Sequence, residues 1–189
     1  MDESTFIRRA MTGDAVAWEP LVRAHQEAVF RFAYLLLGDP DDAEDVAQET
    51  FLRAWRYLAR FDSTRPLRPW LLSIASNLAS NRRRSAGRYL SALTRAFRNE
   101  PPPANIEEKS LQRSQADDLW KAVQNLNMTD QQIVYLRYFL DLSVSETAET
   151  LKVAEGTVKS RLSRALEKLR TIIRDDFPVL ADRREGQEP

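Results

Sequence analysis

Apolar residues recur every three or four positions through most of this 189-residue chain. That spacing places them on one face of an α-helix, as Trp18, Leu21 and Val29 illustrate. Long runs that alternate apolar and polar residues, which would predict β-strands, are absent. We therefore predict an all-α protein, with helices that begin near residue 4 and cover about 18–37, 41–60, 67–84, 111–126, 129–139, 143–151 and 155–170.

Residues that cap helices stand at several of the predicted ends. Gly38 follows the 18–37 helix and suits a left-handed C-cap. A Ser or Thr followed three residues later by Glu or Gln is typical of a capping box, which satisfies free backbone N–H groups where a helix begins. The sequence predicts two such boxes, one from Thr129 with Gln132 and one from Ser143 with Glu146.

A break in the helical pattern divides the chain. Residues 99–110 read NEPPPANIEEKS, with three consecutive prolines and little periodicity. We interpret this stretch as part of a flexible linker. The prediction is a helical domain at 1–86, a linker at 87–110, a second helical domain at 111–175 and a disordered tail at 176–189. Because each domain has its own apolar helix faces, we expect only a modest contact between them.

The charges are sorted along the chain although they cancel overall. Lysine and arginine together number 28, as do aspartate and glutamate. Residues 39–49 hold six acids and no base, 82–98 hold six arginines and no acid, and 152–174 hold seven bases and two acids. Separated blocks of opposite sign predict more than one charged partner surface rather than a general attraction to nucleic acid.

Cysteine content and hydropathy indicate where such a chain works. The chain contains no cysteine, so disulfides and thiolate metal sites are excluded. Its N-terminus, MDESTFIRRAM, lacks the apolar core of a signal peptide, and its longest apolar stretch, near FAYLLLG, is far shorter than a membrane span. We expect a cytoplasmic protein without membrane insertion.

The last two predicted helices have the features of a helix-turn-helix, whose second helix enters the major groove of DNA. A short turn joins them, Ala148 is small where they would cross, and the second helix is basic on its outer face. Cations near a helix C-terminus also suit the helix dipole, but Lys159 and Arg164 lie too early for that explanation. We predict that this helix reads DNA through Glu155, Thr157, Lys159, Ser160, Arg161, Ser163 and Arg164.

Three longer stretches resemble bacterial sigma factors. DAEDVAQETFLRAWRYLARFD at 42–62 and RPWLLSIASNLASNRRR at 68–84 resemble region two of these proteins. LRYFLDLSVSETAETLKVAEGTVKSRLSRALEKLR at 136–170 resembles region four, and the compact chain is similar to the extracytoplasmic-function (ECF) group. The resemblance implies a promoter-specificity subunit that binds the clamp and flap of the two largest subunits of core RNA polymerase. It further implies recognition of the minus-ten and minus-thirty-five elements, melting of promoter DNA, and an anti-sigma factor as a partner.

The resemblance also implies a polymerase-binding face on the 41–60 helix. The matching residues are those that the periodicity leaves outward: Glu44, Asp45, Gln48, Glu49 and Leu52. An acidic first turn alone would suit a helix N-terminus. It does not explain Gln48, Glu49 and Leu52, which lie farther along, so we favour polymerase binding.

The following helix and the loop before it provide the predicted minus-ten site. Small polar residues run into three arginines, a pattern that suits pairing with exposed base edges and contact with phosphates. The family places part of the pocket for an unpaired base in the preceding loop. The predicted site residues are Phe61, Asp62, Ser63, Thr64, Arg65, Ser73, Ser76, Asn77, Ser80, Asn81, Arg82, Arg83 and Arg84.

Some positions depart from the family pattern. His25, the only histidine, stands where an aromatic residue is common, and Asn81 stands where Asp is frequent. Lys152 occupies a turn where Gly is usual, so we expect a left-handed conformation that costs about 1 kcal/mol. Ala154 replaces the usual Ser cap of the recognition helix, a loss of about 1 kcal/mol. Trp70, at helical spacing with apolar neighbours, is interpreted as a core residue.

Three alternative functions are less consistent with the sequence. A stand-alone helix-turn-helix regulator predicts a sensory domain, often with strands, in place of residues 14–84, where the pattern is helical. An enzyme is disfavoured because no His/Cys/Asp cluster, glycine-rich phosphate loop or Ser-His arrangement is present. A decoy that used region two alone would not need the basic C-terminal helix. We therefore predict no catalytic residue, no metal and no cofactor.

Overall fold

The computed structural model describes residues 2–96 and 115–177, and every regular element in these ranges is helical. The all-α prediction is therefore confirmed. None of these helices has the length and hydropathy of a membrane span. The elements are α1 (Glu3–Met11), α2 (Ala15–Leu37), α3 (Pro40–Tyr57) followed by a 3-10 turn (Leu58–Arg60), α4 (Leu67–Ala96), α5 (Gln115–Gln124), α6 (Met128–Val134) continued by a π-helical turn (Tyr135–Phe139), α7 (Val144–Leu151) and α8 (Glu155–Asp176).

The N-terminal half, residues 2–96, is built around a hairpin of α2 and α3. Asp14 caps α2 by accepting from the backbone N–H groups of residues 16 and 17. Gly38 ends α2 in the left-handed conformation, as predicted, and Asp39 caps α3. Helices α1 and α4 pack against this hairpin. Their shared core contains side chains that are almost fully buried, among them Leu21, Phe32, Leu58, Leu67 and Leu71.

Helix α4 is longer than the sequence pattern predicts. It continues to Ala96 instead of ending near residue 84. Residues 85–96 contain no proline and only one glycine, so nothing in their composition stops the helix. The predicted boundary at residue 86 therefore falls inside α4, while residues 97–110 of the predicted linker and 178–189 of the predicted tail lie outside the described residues. The division into two domains stays a prediction.

The C-terminal half, residues 115–177, confirms one predicted capping box and corrects the other. Ser143 and Glu146 make both reciprocal bonds, and these bonds hold the pKa of Glu146 below its usual value. The box predicted from Thr129 and Gln132 is wrong. Asn127 caps α6 instead by accepting from the backbone N–H of residue 130, and Asn is preferred over Thr at that position.

An aromatic cluster holds α5 against the π-helical turn. Tyr135 is fully buried, stacks on Trp120 at 5.7 Å between ring centroids and meets Phe139 edge-on at 5.4 Å. Its hydroxyl has no hydrogen-bond partner in the part of the chain that the structure describes, and burial raises the pKa of Tyr135 to about 12. The cluster fixes α5 against the rest of the C-terminal half.

The two halves touch more extensively than expected. One apolar core runs from Ile7 in α1 to Leu169 in α8, and α4 packs along α7. Polar groups also cross the boundary: Arg68 on α4 donates to the backbone carbonyl of Leu140 at 2.8 Å. The expectation of a modest contact is wrong because the apolar faces within each half are wide enough to meet across the boundary as well.

Candidate nucleic-acid interface

Helices α7 and α8 form the predicted helix-turn-helix. Ala148 and Val158 are buried where the helices meet. Lys152 ends α7 with φ 54° and ψ 46°, the left-handed conformation that we expected. Ala154 precedes α8 without a side-chain cap, also as expected. The motif is therefore complete, but it carries two local costs of about 1 kcal/mol each.

The first turns of α8 present a polar surface outward. Most of the predicted minus-thirty-five residues are exposed, and only Thr157 and Arg161 are half-buried. Arg164 bonds through Nε to the carbonyl of Ser160, which leaves its terminal guanidinium nitrogens facing solvent. Helix α8 can therefore offer hydrogen-bond donors to a groove. The exposed members are Glu155, Lys159, Ser160, Ser163 and Arg164.

The outer face of α3 carries the predicted polymerase-binding residues. Leu52 is 61% exposed, a large apolar side chain without a partner in the described part of the chain. The carboxylates around it are held by neighbours on the same helix: Glu44 accepts from Gln48 at 3.3 Å and Glu49 accepts from Arg53 at 2.6 Å. An exposed leucine inside an acidic and amide-bearing rim is suited to binding another protein.

Arg82 pairs with acids on α3. Its guanidinium lies 2.5 Å from a carboxylate oxygen of Asp42 and 3.0 Å from one of Asp45. Two acids on α3 attract the first of the three arginines because α3 and α4 pack side by side. The pairing links α4 to the predicted polymerase-binding face through Asp45, and contact of Arg82 with DNA stays a prediction.

The loop before α4 is a compact turn. Asp62 accepts from the backbone N–H of Thr64 at 3.0 Å and from its hydroxyl at 2.7 Å, and these bonds lower the pKa of Asp62. Ser63 and Thr64 are exposed at its tip. Phe61 was predicted as part of the base pocket, but it is buried against Trp70 with ring centroids 4.7 Å apart. Trp70 itself packs on the core, as predicted.

Helix α4 exposes only part of the predicted minus-ten set. Asn77 is exposed and makes no hydrogen bond within the described ranges, and Asn81 is exposed while accepting from Arg84 at 2.7 Å. Ser73 is a correction, because it is buried and donates to the carbonyl of Trp70 at 2.7 Å. The unpaired amide of Asn77 is thus the freest group on this face.

The remaining predicted residues are occupied by the C-terminal half. Gln132 Nε2 donates to the hydroxyl oxygens of Ser76 at 2.9 Å and Ser80 at 3.1 Å. Arg83 donates to Gln131 Oε1 at 2.7 Å. These side chains bond to α6, and of the three only Arg83 stays exposed to solvent.

Arg65 makes the matching contact at the other end of α4. It forms an ion pair of 2.8 Å with Glu149 on α7. A cleft of about 520 Å³ surrounds this pair and is also lined by Glu155, the first residue of α8. The predicted minus-ten loop and the start of the recognition helix therefore border one cleft.

Sequence reasoning missed the residues that make these contacts. Gln131, Gln132 and Glu149 lie on the C-terminal half and bond to partners between 48 and 84 positions away. Gln132 had been interpreted as part of a local capping box. Gln132 is only 8% exposed, which is unusual for a side-chain amide. Helical spacing could not predict this burial, because it results from the contact between the two halves.

His25 occupies a second place where the halves meet. It is buried, and its Nε2 makes no hydrogen bond within residues 2–96 and 115–177, with Glu3 Oε1 at 3.4 Å. Burial lowers its pKa, the charge of Arg68 lowers it further, and Glu3 acts in the opposite direction. A cleft of about 330 Å³ beside it is lined by residues of both halves, including Arg31 and Asp141. His25 is a packing residue here, as the sequence suggested.

Two family matches cover the two halves. Residues 21–89 match the family described as sigma-70 region 2, and residues 116–169 match the family described as sigma-70, region 4. Between them the matches include every exposed residue of the predicted interfaces.

Curated relatives extend the similarity over nearly the whole chain. An ECF RNA polymerase sigma factor, SigL of Mycobacterium tuberculosis, is 34% identical over 173 residues, which is 87% of this chain and 96% of the relative. BldN of Streptomyces coelicolor, also named an ECF RNA polymerase sigma factor, is 34% identical over 176 residues, 90% of this chain. The chain spans 65% of the length of BldN.

Two solved structures with a similar fold were determined as complexes with a partner protein. CnrH, solved with the cytosolic domain of CnrY, matches with a TM-score of 0.68 and 25% identity over 92% of this chain and 98% of that one. RpoE of Bartonella quintana, solved with the anti-sigma factor NepR, matches with a TM-score of 0.64 and 25% identity over 84% of this chain and 97% of that one.

Proposed function

The chain belongs to the ECF family of RNA polymerase sigma factors, and on that premise we propose how its surfaces divide the work of transcription initiation. The outer face of α3 binds the polymerase clamp through Leu52 and its acidic rim. The loop at 62–64 and the exposed amides of α4 read the minus-ten element, and α8 reads the minus-thirty-five element.

The observation that carries this assignment is the exposed, unpaired amide of Asn77 on α4. An amide both donates and accepts, so it can pair with a base edge that duplex opening exposes. Arg84 lies about two turns farther along the same face of α4 and donates to Asn81, which suits phosphate contact beside such a base. The exposed turn at Asp62–Thr64 sits at the start of the same helix.

Helix α8 supplies the second reading surface. Its exposed groups combine two long cations with short hydroxyl side chains, a mixture that lets a helix approach the major groove and bond to base edges. Glu155 lies at its first turn, where an acid also suits the helix dipole. We assign the minus-thirty-five element to this surface.

The chain itself contributes recognition rather than catalysis. We propose that nucleotide addition is carried out by the polymerase, that the protein acts in the cytoplasm, and that a separate anti-sigma protein holds it. The last point follows from the two similar structures, which were solved with an anti-sigma factor and with a cytosolic domain as partners.

Run-off transcription with core polymerase and fragments of the source genome tests the proposal. Core enzyme with the chain should initiate at a small set of shared sequences, whereas core enzyme alone should not. The chain alone should give no transcript. Transcripts that are independent of the chain would contradict a sigma function.

A further inference from the structure

The surface of the N-terminal half that is assigned to DNA is bonded to the C-terminal half at three places. Gln132 donates to Ser76 and Ser80. Gln131 accepts from Arg83. Glu149 pairs with Arg65, the one ion pair that joins the two halves within residues 2–96 and 115–177.

Each of these partners has the chemistry of the DNA group it would replace. A carboxylate on a guanidinium makes the same charge-assisted contact as a phosphate. A side-chain amide on a hydroxyl makes the same hydrogen bond as the edge of a base. The C-terminal half therefore satisfies the donors and acceptors that promoter DNA needs.

The minus-ten and minus-thirty-five elements of one promoter cannot be bound at the same time while these contacts persist. The element names place them about 25 base pairs apart, and at 3.4 Å per base pair this is roughly 85 Å along the duplex. In the structure, Arg65 of the minus-ten loop and Glu155 of the recognition helix border one cleft. The halves must separate before the two surfaces can lie on their elements.

We propose that Gln132 and Glu149 form a gate that closes the minus-ten surface in the free chain. This gate rests on the assignment of the α4 surface to DNA made above. Closing satisfies Gln132, Ser76, Ser80 and Arg65 internally, and opening exposes them to solvent or to DNA.

The two gate residues differ in what holds them. Gln132 is 8% exposed, so its amide and the serine hydroxyls depend on each other for hydrogen bonds. The Arg65–Glu149 pair is more open, with side chains 55% and 19% exposed, so salt weakens it. The gate therefore has a buried part that is insensitive to salt and a peripheral part that salt loosens.

The test removes the gate from the C-terminal side only, so that every residue assigned to DNA stays intact. Gln132→Met keeps the length of the side chain but loses the amide, and Glu149→Gln keeps its shape but loses the charge. The control carries Gln26→Met and Glu167→Gln, which change exposed residues of the same types away from the contact between the halves.

Opening is measured as a distance. The chain has no cysteine, so Arg23→Cys and Arg170→Cys place one spin label on each half without competing sites. Pulsed electron paramagnetic resonance should show a single short distance for the parent and control chains. The double gate variant should show a longer, broader distribution, with the open fraction raised about tenfold or more.

Access is measured as DNA binding by the free chain. The probe is a fluorescein-labelled single strand that carries the minus-ten element of a promoter mapped by run-off transcription. The gate variant should bind it about tenfold more tightly than the parent, while the control should not. Unchanged distance, or opening without tighter binding, overturns the gate.

Two further variants separate the gate from the assignment on which it rests. Adding Asn77→Ala to the gate variant should remove the gained binding. If the binding survives while the distance still lengthens, the gate stands and the assignment of α4 to DNA fails. If the double variant does not fold, Glu149→Gln alone, at a side chain that is 19% exposed, should still lengthen the distance at low salt, and an unchanged distance there overturns the proposal.

Discussion

Lys168 on the recognition helix lies 2.6 Å from Asp130 on α6, through Nζ and Oδ2. The partner of Lys168 is a specific carboxylate that is almost fully buried. Asn127 Nδ2 bonds to the same oxygen at 2.7 Å. The pair therefore fixes the orientation of α8 relative to the rest of the C-terminal half.

Replacing this lysine tests the pair as a stability element. Lys168→Met removes the cation but keeps its apolar stem, and it leaves the buried Asp130 with one neutral partner. We expect the free energy of unfolding to fall by about 1–3 kcal/mol in urea titrations. Lys121→Met, at an exposed site on α5, is the control and should change it by less than about 0.5 kcal/mol. Equal effects of the two changes would mean that the contact contributes nothing specific.

Acid should weaken the fold through His25. Burial lowers its pKa in the folded chain from the ordinary 6.5, so the unfolded chain takes up the proton first as pH falls. Stability that is fully present above pH 6.5 is therefore lost as pH falls through the folded pKa. His25 is the only histidine. His25→Gln should therefore make the thermal unfolding temperature depend less on pH in that window. A profile that keeps its slope in the variant would place the titrating group elsewhere.

Leu52 should be essential for binding the polymerase. Leu52→Glu replaces an exposed apolar side chain with a charge that a protein interface would have to desolvate. We expect core polymerase to bind at least tenfold more weakly, about 1.4 kcal/mol, in a fluorescence titration. Val16→Glu changes an equally exposed apolar residue, 75% exposed, on α2 and should bind normally. Normal binding by the Leu52 variant would show that α3 is the wrong face.

Asn77 should matter most where the promoter duplex has to be opened. Asn77→Ala should reduce transcription from a duplex promoter, because capture of an unpaired base offsets an opening cost of a few kcal/mol. The variant should use a template mismatched across the minus-ten region much better than the duplex, because the opening cost has been removed. Asn125→Ala, an exposed amide on the C-terminal half, is the control. Equal losses on both templates would assign Asn77 to folding or polymerase contact.

Arg164 and Arg161 should separate base reading from phosphate contact. Arg164 is exposed on α8 whereas Arg161 is half-buried and turned to the side. Arg164→Ala should cost about 1–3 kcal/mol on the preferred promoter and relax one base position. Arg161→Ala should weaken all sequences alike and lower the salt slope by about one. Binding of polymerase complexes across base-substituted promoters measures both, and a uniform loss with Arg164→Ala would remove it from base reading.

Local chemistry explains which features the sequence could predict. The Ser143–Glu146 box, the left-handed turns at Gly38 and Lys152, and the uncapped Ala154 all depend on residues within four positions of one another. Each was confirmed because no distant group competes for the same backbone bonds.

The features that sequence missed depend on contacts between distant residues. Gln132 donates to hydroxyls 52 and 56 positions away and does not take part in the predicted capping box. Arg82 pairs with acids on α3, partners that the sequence analysis of α4 alone does not predict. Helical spacing gives the direction of a side chain on its own helix, but the partner that reaches it comes from the packing of helices, which no single helix contains.

The length of α4 has a consequence for promoter architecture. Residues 85–96, being helical, rise about 18 Å, whereas the same residues extended would span roughly 40 Å. The largest distance between the DNA-binding surfaces of α4 and α8 then depends on the eighteen residues between Ala96 and Gln115. Eighteen residues span at most about 60 Å. Each base pair added to the spacer moves α8 by 3.4 Å and turns it about the duplex axis. We therefore predict that this chain uses promoters within a narrow range of spacer lengths.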